Sequence, residues 1–64
     1  MHMNIDISYK LGEAVKFNMF LASGRIEGIM IKKNALLYLV RYIFNGKVEE
    51  GYFYADELKR VQQN

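Results

Sequence analysis

The side chains able to carry covalent or acid–base chemistry are few in this chain, and their spacing does not suit it. His2 is the sole histidine, Ser8 and Ser23 are the only serines, and Thr and Cys are absent. A catalytic nucleophile needs a hydroxyl or thiol beside a base. His2 sits in Met1-His2-Met3, which reads as a cloning remnant before a native start at Met3. Glu49-Glu50 offers two carboxylates, but adjacent strand residues point to opposite faces and cannot serve one substrate atom. The lack of Cys excludes disulfides and thiolate metal sites, and neither a Gly-rich phosphate loop nor an Asp-rich cation loop occurs. The sequence therefore predicts a protein that is not an enzyme, with no catalytic residue, metal, cofactor or small-molecule substrate. What remains is recognition by a surface, presented by whichever elements the apolar pattern builds.

The stretch LLYLVRYIFNGKVEEGYFY, Leu36 to Tyr54, predicts two long strands folded back on each other about Asn45-Gly46. Asn-Gly between apolar, β-branched and aromatic runs signals a type I′ turn, which needs φ > 0 at both central residues. That turn sets the register: Phe44 faces Lys47, Ile43 Val48, Tyr42 Glu49, Arg41 Glu50, Leu39 Tyr52 and Tyr38 Phe53. One face then carries Tyr38, Val40, Tyr42, Phe44 and Phe53. The other carries Leu37, Leu39, Ile43, Val48, Tyr52 and Tyr54 around an Arg41/Glu50 pair. A hairpin apolar on both faces must cover one with its own core and the other with something else. Leu36, Leu39, Val40, Ile43 and Phe44 also fit helical spacing, with Asn34 as N-cap and Gly46 as C′ residue. The Tyr, Val, Ile and Phe content favours strands, and such a helix would be apolar all round in a chain too small to bury it.

At 64 residues the chain is one domain, and a chain of that size buries only about 60 % of its unfolded surface. With no covalent staple, a tight barrel or oligomerisation must supply stability. Nine Lys and Arg against seven Asp and Glu give a net charge of +2, which permits polyanion binding without arguing for it. No apolar run approaches the ~18 residues of a membrane span and no signal-peptide core follows the start, so a cytoplasmic protein without membrane contact is expected.

Residues 1–10 are expected to form an N-terminal arm or edge strand, with a weak alternation from Asn4 to Lys10, and Leu11-Gly12-Glu13 a turn. Ala14 to Phe20 predicts a strand with Val15, Phe17 and Met19 inward, and Ala22-Ser23-Gly24 a turn. Arg25 to Lys33 predicts the next strand. In it Ile26, Ile29 and Ile31 share a face only if Gly28 absorbs an extra residue as a bulge, bending the strand toward a small barrel. Lys32-Lys33-Asn34-Ala35 is a turn. Ala55 to Leu58, with Asp56 and Glu57 early and Lys59 and Arg60 late, reads as a helical turn held by Leu58 and Val61. Gln62, Gln63 and Asn64 read as a polar frayed end.

The succession Leu11-Gly-Glu-Ala-Val-Lys-Phe17, Ser23-Gly-Arg-Ile-Glu-Gly-Ile29, Tyr38-Leu-Val-Arg-Tyr42, Asn45-Gly46 and Phe53-Tyr-Ala-Asp-Glu-Leu58 resembles the small SH3-like barrels of the Tudor and KOW type. The resemblance, over Leu11 to Val61, is at the level of the fold. It implies an all-β fold, a barrel of five short antiparallel strands over residues 11–64 with one helical turn near the C-terminus, of the size of many phage and bacterial proteins. It does not choose among RNA, DNA, methylated-peptide and protein ligands. Tudor-like readers of methylated cations have a cage of about four rings. Here Phe20 and Tyr42 fall where two rings would sit, but Glu27 and Asn45 occupy the other places, so the cage is incomplete and both rings read as packing residues.

Two binding surfaces follow, on opposite faces of the hairpin. With Tyr38, Val40, Tyr42 and Phe53 as core, the outer face presents Leu37, Leu39, Arg41, Ile43, Tyr52 and Tyr54, an apolar patch rimmed by charge that suits a protein partner or a homo-oligomer. This is the favoured arrangement, because it leaves Arg41 and Glu50 in solvent rather than desolvated. In the alternative, Tyr38, Tyr42, Phe44 and Phe53 are exposed beside Lys47 and stack unpaired bases of single-stranded RNA or DNA. Lys32, Lys33 and other scattered basic residues then track phosphates.

Overall fold

The computed structural model describes residues 8–61. The expected strand over Asn4 to Lys10, apart from its last residues, lies outside them, as do His2 and the polar end Gln62 to Asn64. The chain is all-β: β1 (Ala14–Phe17), β2 (Ser23–Lys32), β3 (Ala35–Phe44), β4 (Lys47–Phe53), a single 3₁₀ turn η1 (Ala55–Glu57) and β5 (Leu58–Arg60). Among the described residues the five strands form one antiparallel sheet in the order β4-β3-β2-β1-β5, with β4 and β5 at its edges, and it is not closed.

The hairpin forms as its turn chemistry dictates. Asn45 (φ 52°) and Gly46 (φ 76°) both take the left-handed conformation, and the β3–β4 register runs Phe44↔Lys47, Ile43↔Val48, Arg41↔Glu50, Leu39↔Tyr52 and Tyr38↔Phe53. The bulge is present as well. Ile26 pairs with Val40 but Gly28 with Leu39, so Glu27 is the extra residue, and Ile26, Ile29 and Ile31 fall on one face opposite Val40, Tyr38 and Leu36.

Three boundaries differ from expectation. β1 ends at Phe17 rather than Phe20, because the Asn18 N–H donates to the Glu57 carbonyl (3.0 Å) and its side-chain amide to the Asp56 carbonyl (2.8 Å). Met19 is consequently exposed, not inward, while Phe20 folds back to stack on Phe17. Ser23 and Gly24 belong to β2 rather than to a turn. A Cβ on Gly24 would lie 2.7 Å from Val40 Cγ1 and 2.8 Å from the Arg41 carbonyl, so the glycine serves close approach of β2 to β3. Lys59 and Arg60 continue as β5 along β1 instead of ending a helical turn, because extended Leu58 places its side chain in the core.

The core comprises Tyr9, Val15, Phe17, Ile26, Tyr38, Val40 and Leu58. Phe17 on β1 meets Phe53 on β4 with ring centroids 4.8 Å apart, although two strands separate them in the sheet. The sheet therefore curls around this core, with Tyr38, Val40, Tyr42 and Phe53 on the concave side. The Tyr38 hydroxyl, wholly buried, accepts the Ser8 N–H at 2.8 Å and the Tyr9 N–H at 3.4 Å, and the Tyr9 ring meets Tyr38 edge-on at 5.3 Å. Arg60 ties the same corner. Its guanidinium lies over Tyr9, bonds Glu13 Oε2 at 2.6 Å and donates to the Ser8 carbonyl.

Candidate functional site

Because the four strand pairs are in phase, side chains align in rows across the convex face. One row runs Lys59, Lys16, Ser23, Ile43, Val48, and the next Ala14, Arg25, Arg41, Glu50. Beyond the bulge follow Gly28, Leu39, Tyr52 and then Met30, Leu37. The hairpin half of this face is apolar and open to solvent: Ile43 is 62 % exposed, Val48 55 %, Tyr52 52 % and Tyr54 52 %. Leu39 is half-buried beside them. Leu37, although on the same face, is buried (8 % exposed) and offers nothing to a partner. Of the expected patch, Leu39, Arg41, Ile43, Tyr52 and Tyr54 are thus accessible, and Val48 joins them.

Charge sits in the middle of the face. Register places Arg41 opposite Glu50, but the guanidinium reaches Glu27 instead, at 3.8 Å. The bulge delivers Glu27 there by pushing it out of the ladder. A hydrogen bond with Glu50, then burial and the Glu50 charge, raise the Glu27 carboxyl above its usual range, with Arg41 opposing. Glu27 and Arg41 border a shallow groove that runs past Arg25, Ser23, Ile43 and Val48.

The alternative ring set does not come together as a site. Tyr38 is wholly buried, and Tyr42 and Phe53 are half-buried in a cluster with Phe17 and Phe20. Within it Phe17–Phe20 stack at 4.5 Å, and Tyr42–Phe53 and Phe20–Tyr42 lie at 5.8 and 5.7 Å. These rings pack on one another, mostly edge-on, as a satellite of the core rather than as a row of open ring faces. Phe44 is the most exposed of the set, at 38 %, and its ring still meets Phe20 edge-on. Lys47 is opposite Phe44, whereas Lys32 and Lys33 lie by Ala35 at the other end of β3, about 30 Å away at the strand rise of ~3.3 Å per residue.

Among the described residues no cluster of His, Asp and Glu could hold a metal ion, and no helix is long and apolar enough to cross a membrane. No family model matches the chain, and no curated protein or solved structure matches it either.

Proposed function

We propose that this chain is a non-catalytic binding module of the cytoplasm that docks on protein, a partner or a second copy of itself, through the convex face of the β3–β4 hairpin. The observation carrying this reading is the exposure of Ile43, Val48, Tyr52 and Tyr54 on either side of the Arg41/Glu50 pair, on a domain whose core lies on the other face. Aromatic and aliphatic anchors are the composition of an interface centre, and the cluster of Arg41, Glu27 and Glu50 set between the Ile43/Val48 and Leu39/Tyr52 pairs offers a partner charges to match. The adjoining edge adds to it. In a two-residue hairpin the pair flanking the turn is hydrogen-bonded, so the backbone groups of Val48, Glu50 and Tyr52 point away from β3. The resemblance to small SH3-like barrels supports a binding role without naming a ligand.

The test is sedimentation of the wild-type chain from micromolar to millimolar, with affinity capture from a nuclease-treated lysate, repeated with Ile43→Glu. Self-association or a captured protein that Ile43→Glu abolishes, with the unfolding midpoint unchanged, is the expected result. Unfolding of Ile43→Glu would show that this face is core, and unaltered association would place the interface elsewhere.

A further inference from the structure

We propose that the open edge of β4 pairs antiparallel with β4 of a second copy of this chain, with Glu50 on the two-fold axis, joining two five-stranded sheets into one. This rests on the reading of the hairpin as a protein-docking element and commits it to one occupant and one register. The backbone fixes the register first. Val48, Glu50 and Tyr52 turn their N–H and C=O groups away from β3, and among the described residues none of these groups has a backbone partner on that side. The free run stops at both ends. Before Val48 comes the Asn45-Gly46 turn, and at Tyr54 both backbone groups are taken: the N–H donates to Glu57 Oε1 at 2.8 Å and the carbonyl accepts the Glu57 N–H at 3.0 Å. The free set is therefore symmetric about Glu50. An antiparallel copy of the same strand satisfies all of it when Val48 faces Tyr52 of the second copy and Glu50 faces Glu50, an isologous contact.

Side chains on the convex face agree with that register and not with its neighbours. Within one chain Ile43 stands opposite Val48, Arg41 opposite Glu50 and Leu39 opposite Tyr52. With the axis at Glu50, the first of these rows runs into the last row of the second copy. Ile43, Val48, Tyr52 and Leu39 then form one apolar row on each side of the axis, and Val48 and Tyr52, both more than half exposed in the single chain, cover each other as an aliphatic–aromatic cross-strand pair. A slide of one pair either way sets Glu50 against Val48 or Tyr52, running charge into an apolar row. It also leaves Tyr52 against the turn or Val48 against the occupied backbone of Tyr54. What opposes the matched register is Glu50 itself. Like charges directly opposite destabilise a strand pair, and Arg41, opposite each Glu50 on β3, directs its guanidinium to Glu27 at 3.8 Å. Glu50 thus keeps the pairing weak and reversible, as charged residues do on strand edges, and it is the position at which the register can be read.

The experiment titrates fluorescently labelled wild-type chain with unlabelled wild type, Glu50→Lys and Glu49→Lys, reading association by anisotropy, with sedimentation of each chain alone. Glu50→Lys should bind labelled wild type more tightly than wild type binds itself, because lysine then faces glutamate, yet associate with itself more weakly, with two lysines beside the Arg41 side chains. Glu50→Gln, which removes the repulsion without adding charge, should tighten self-association roughly 2- to 5-fold. Glu49 and Glu50 are both exposed, so an unchanged thermal midpoint at low concentration shows that a variant's fold is intact; if Glu50→Lys lowers its midpoint, Glu50→Gln carries the test. Equal affinity of Glu50→Lys and wild type for labelled wild type would overturn the proposal. So would a preference that appears with Glu49→Lys instead, which would move the axis to Glu49. A chain that stays monomeric to millimolar yet captures a protein, with the capture lost in Ile43→Glu, removes this inference and keeps the docking reading, whereas a chain that does neither removes both.

Discussion

A single hydroxyl anchors the entry of the chain into the fold. Tyr38 is counted from sequence only as a ring, core in one arrangement and stacking platform in the other. What its oxygen does depends on Ser8, thirty residues away, a distance no local pattern spans. Tyr38→Phe keeps the ring and removes the acceptor of the Ser8 and Tyr9 N–H groups. Urea unfolding should show a loss of about 1–2 kcal/mol, while Tyr54→Phe, on the exposed face, changes nothing measurable. Two carboxyls should answer pH in opposite senses. Glu13 is held below the usual carboxylate range by its bond to Arg60 and by the Lys10 N–H. Its contribution is present above the ordinary carboxyl pKa and disappears as pH falls through the lowered one. Glu27 is raised by Glu50, so the folded state holds its proton more tightly than the unfolded chain does, and stability falls as pH rises from the ordinary value through the raised one. Glu27→Gln should therefore raise the urea midpoint at neutral pH and remove that decline. Glu13→Gln should lower the neutral midpoint and weaken the acid-side loss.

Elements were legible in proportion to how local their determinants are. The β3–β4 hairpin follows from Asn45-Gly46 and from alternation within 19 residues, and its register holds pair for pair. The bulge could be anticipated because only a two-for-one step brings Ile26 and Ile29 to one face. β5 could not: three residues carry no periodicity, and they are a strand only because β1 lies alongside. The adjacency of Lys16 and Lys59 was hidden for the same reason, since they are neighbours through that pairing alone. Glycines separate local from tertiary causes in a way mutation can check. Gly24 is pressed by Val40 and the Arg41 carbonyl, whereas a Cβ on Gly28 would meet only an ordinary 3.5 Å contact with Leu39. Gly24→Ala should cost about 1–3 kcal/mol through overpacking, and Gly28→Ala close to nothing, read as shifts of thermal midpoint. At the turn, Asn45→Ala should cost about 1 kcal/mol or more for a left-handed residue with an alanine side chain, and Asn45→Gly much less.

At the scale of the molecule, a sheet that curls without closing keeps two edges, and they differ. β5 is three residues long, with basic side chains at Lys59 and Arg60. β4 runs seven residues without proline or bulge, defended by Lys47, Glu49 and Glu50. Such an edge is open to strand addition, and the apolar patch beside it is open to face-on docking, so protein binding on the hairpin has two distinct geometries. Amide exchange distinguishes them, because alternate residues of β4 face opposite ways. Lys47, Glu49, Gly51 and Phe53 pair their backbone groups with β3, while the N–H groups of Val48, Glu50 and Tyr52 point outward. In dilute protein the first set should exchange slowly and the second fast, an odd–even pattern along one strand. Raising the concentration, or adding a captured partner, should protect the Val48, Glu50 and Tyr52 amides if a strand is added at the edge. Face-on docking should leave them fast and protect only side chains, visible as shifts at Ile43 and Tyr52. Slow exchange of those three amides in the dilute monomer would mean the edge is already covered within the chain. Partner binding would then rest on the convex face alone.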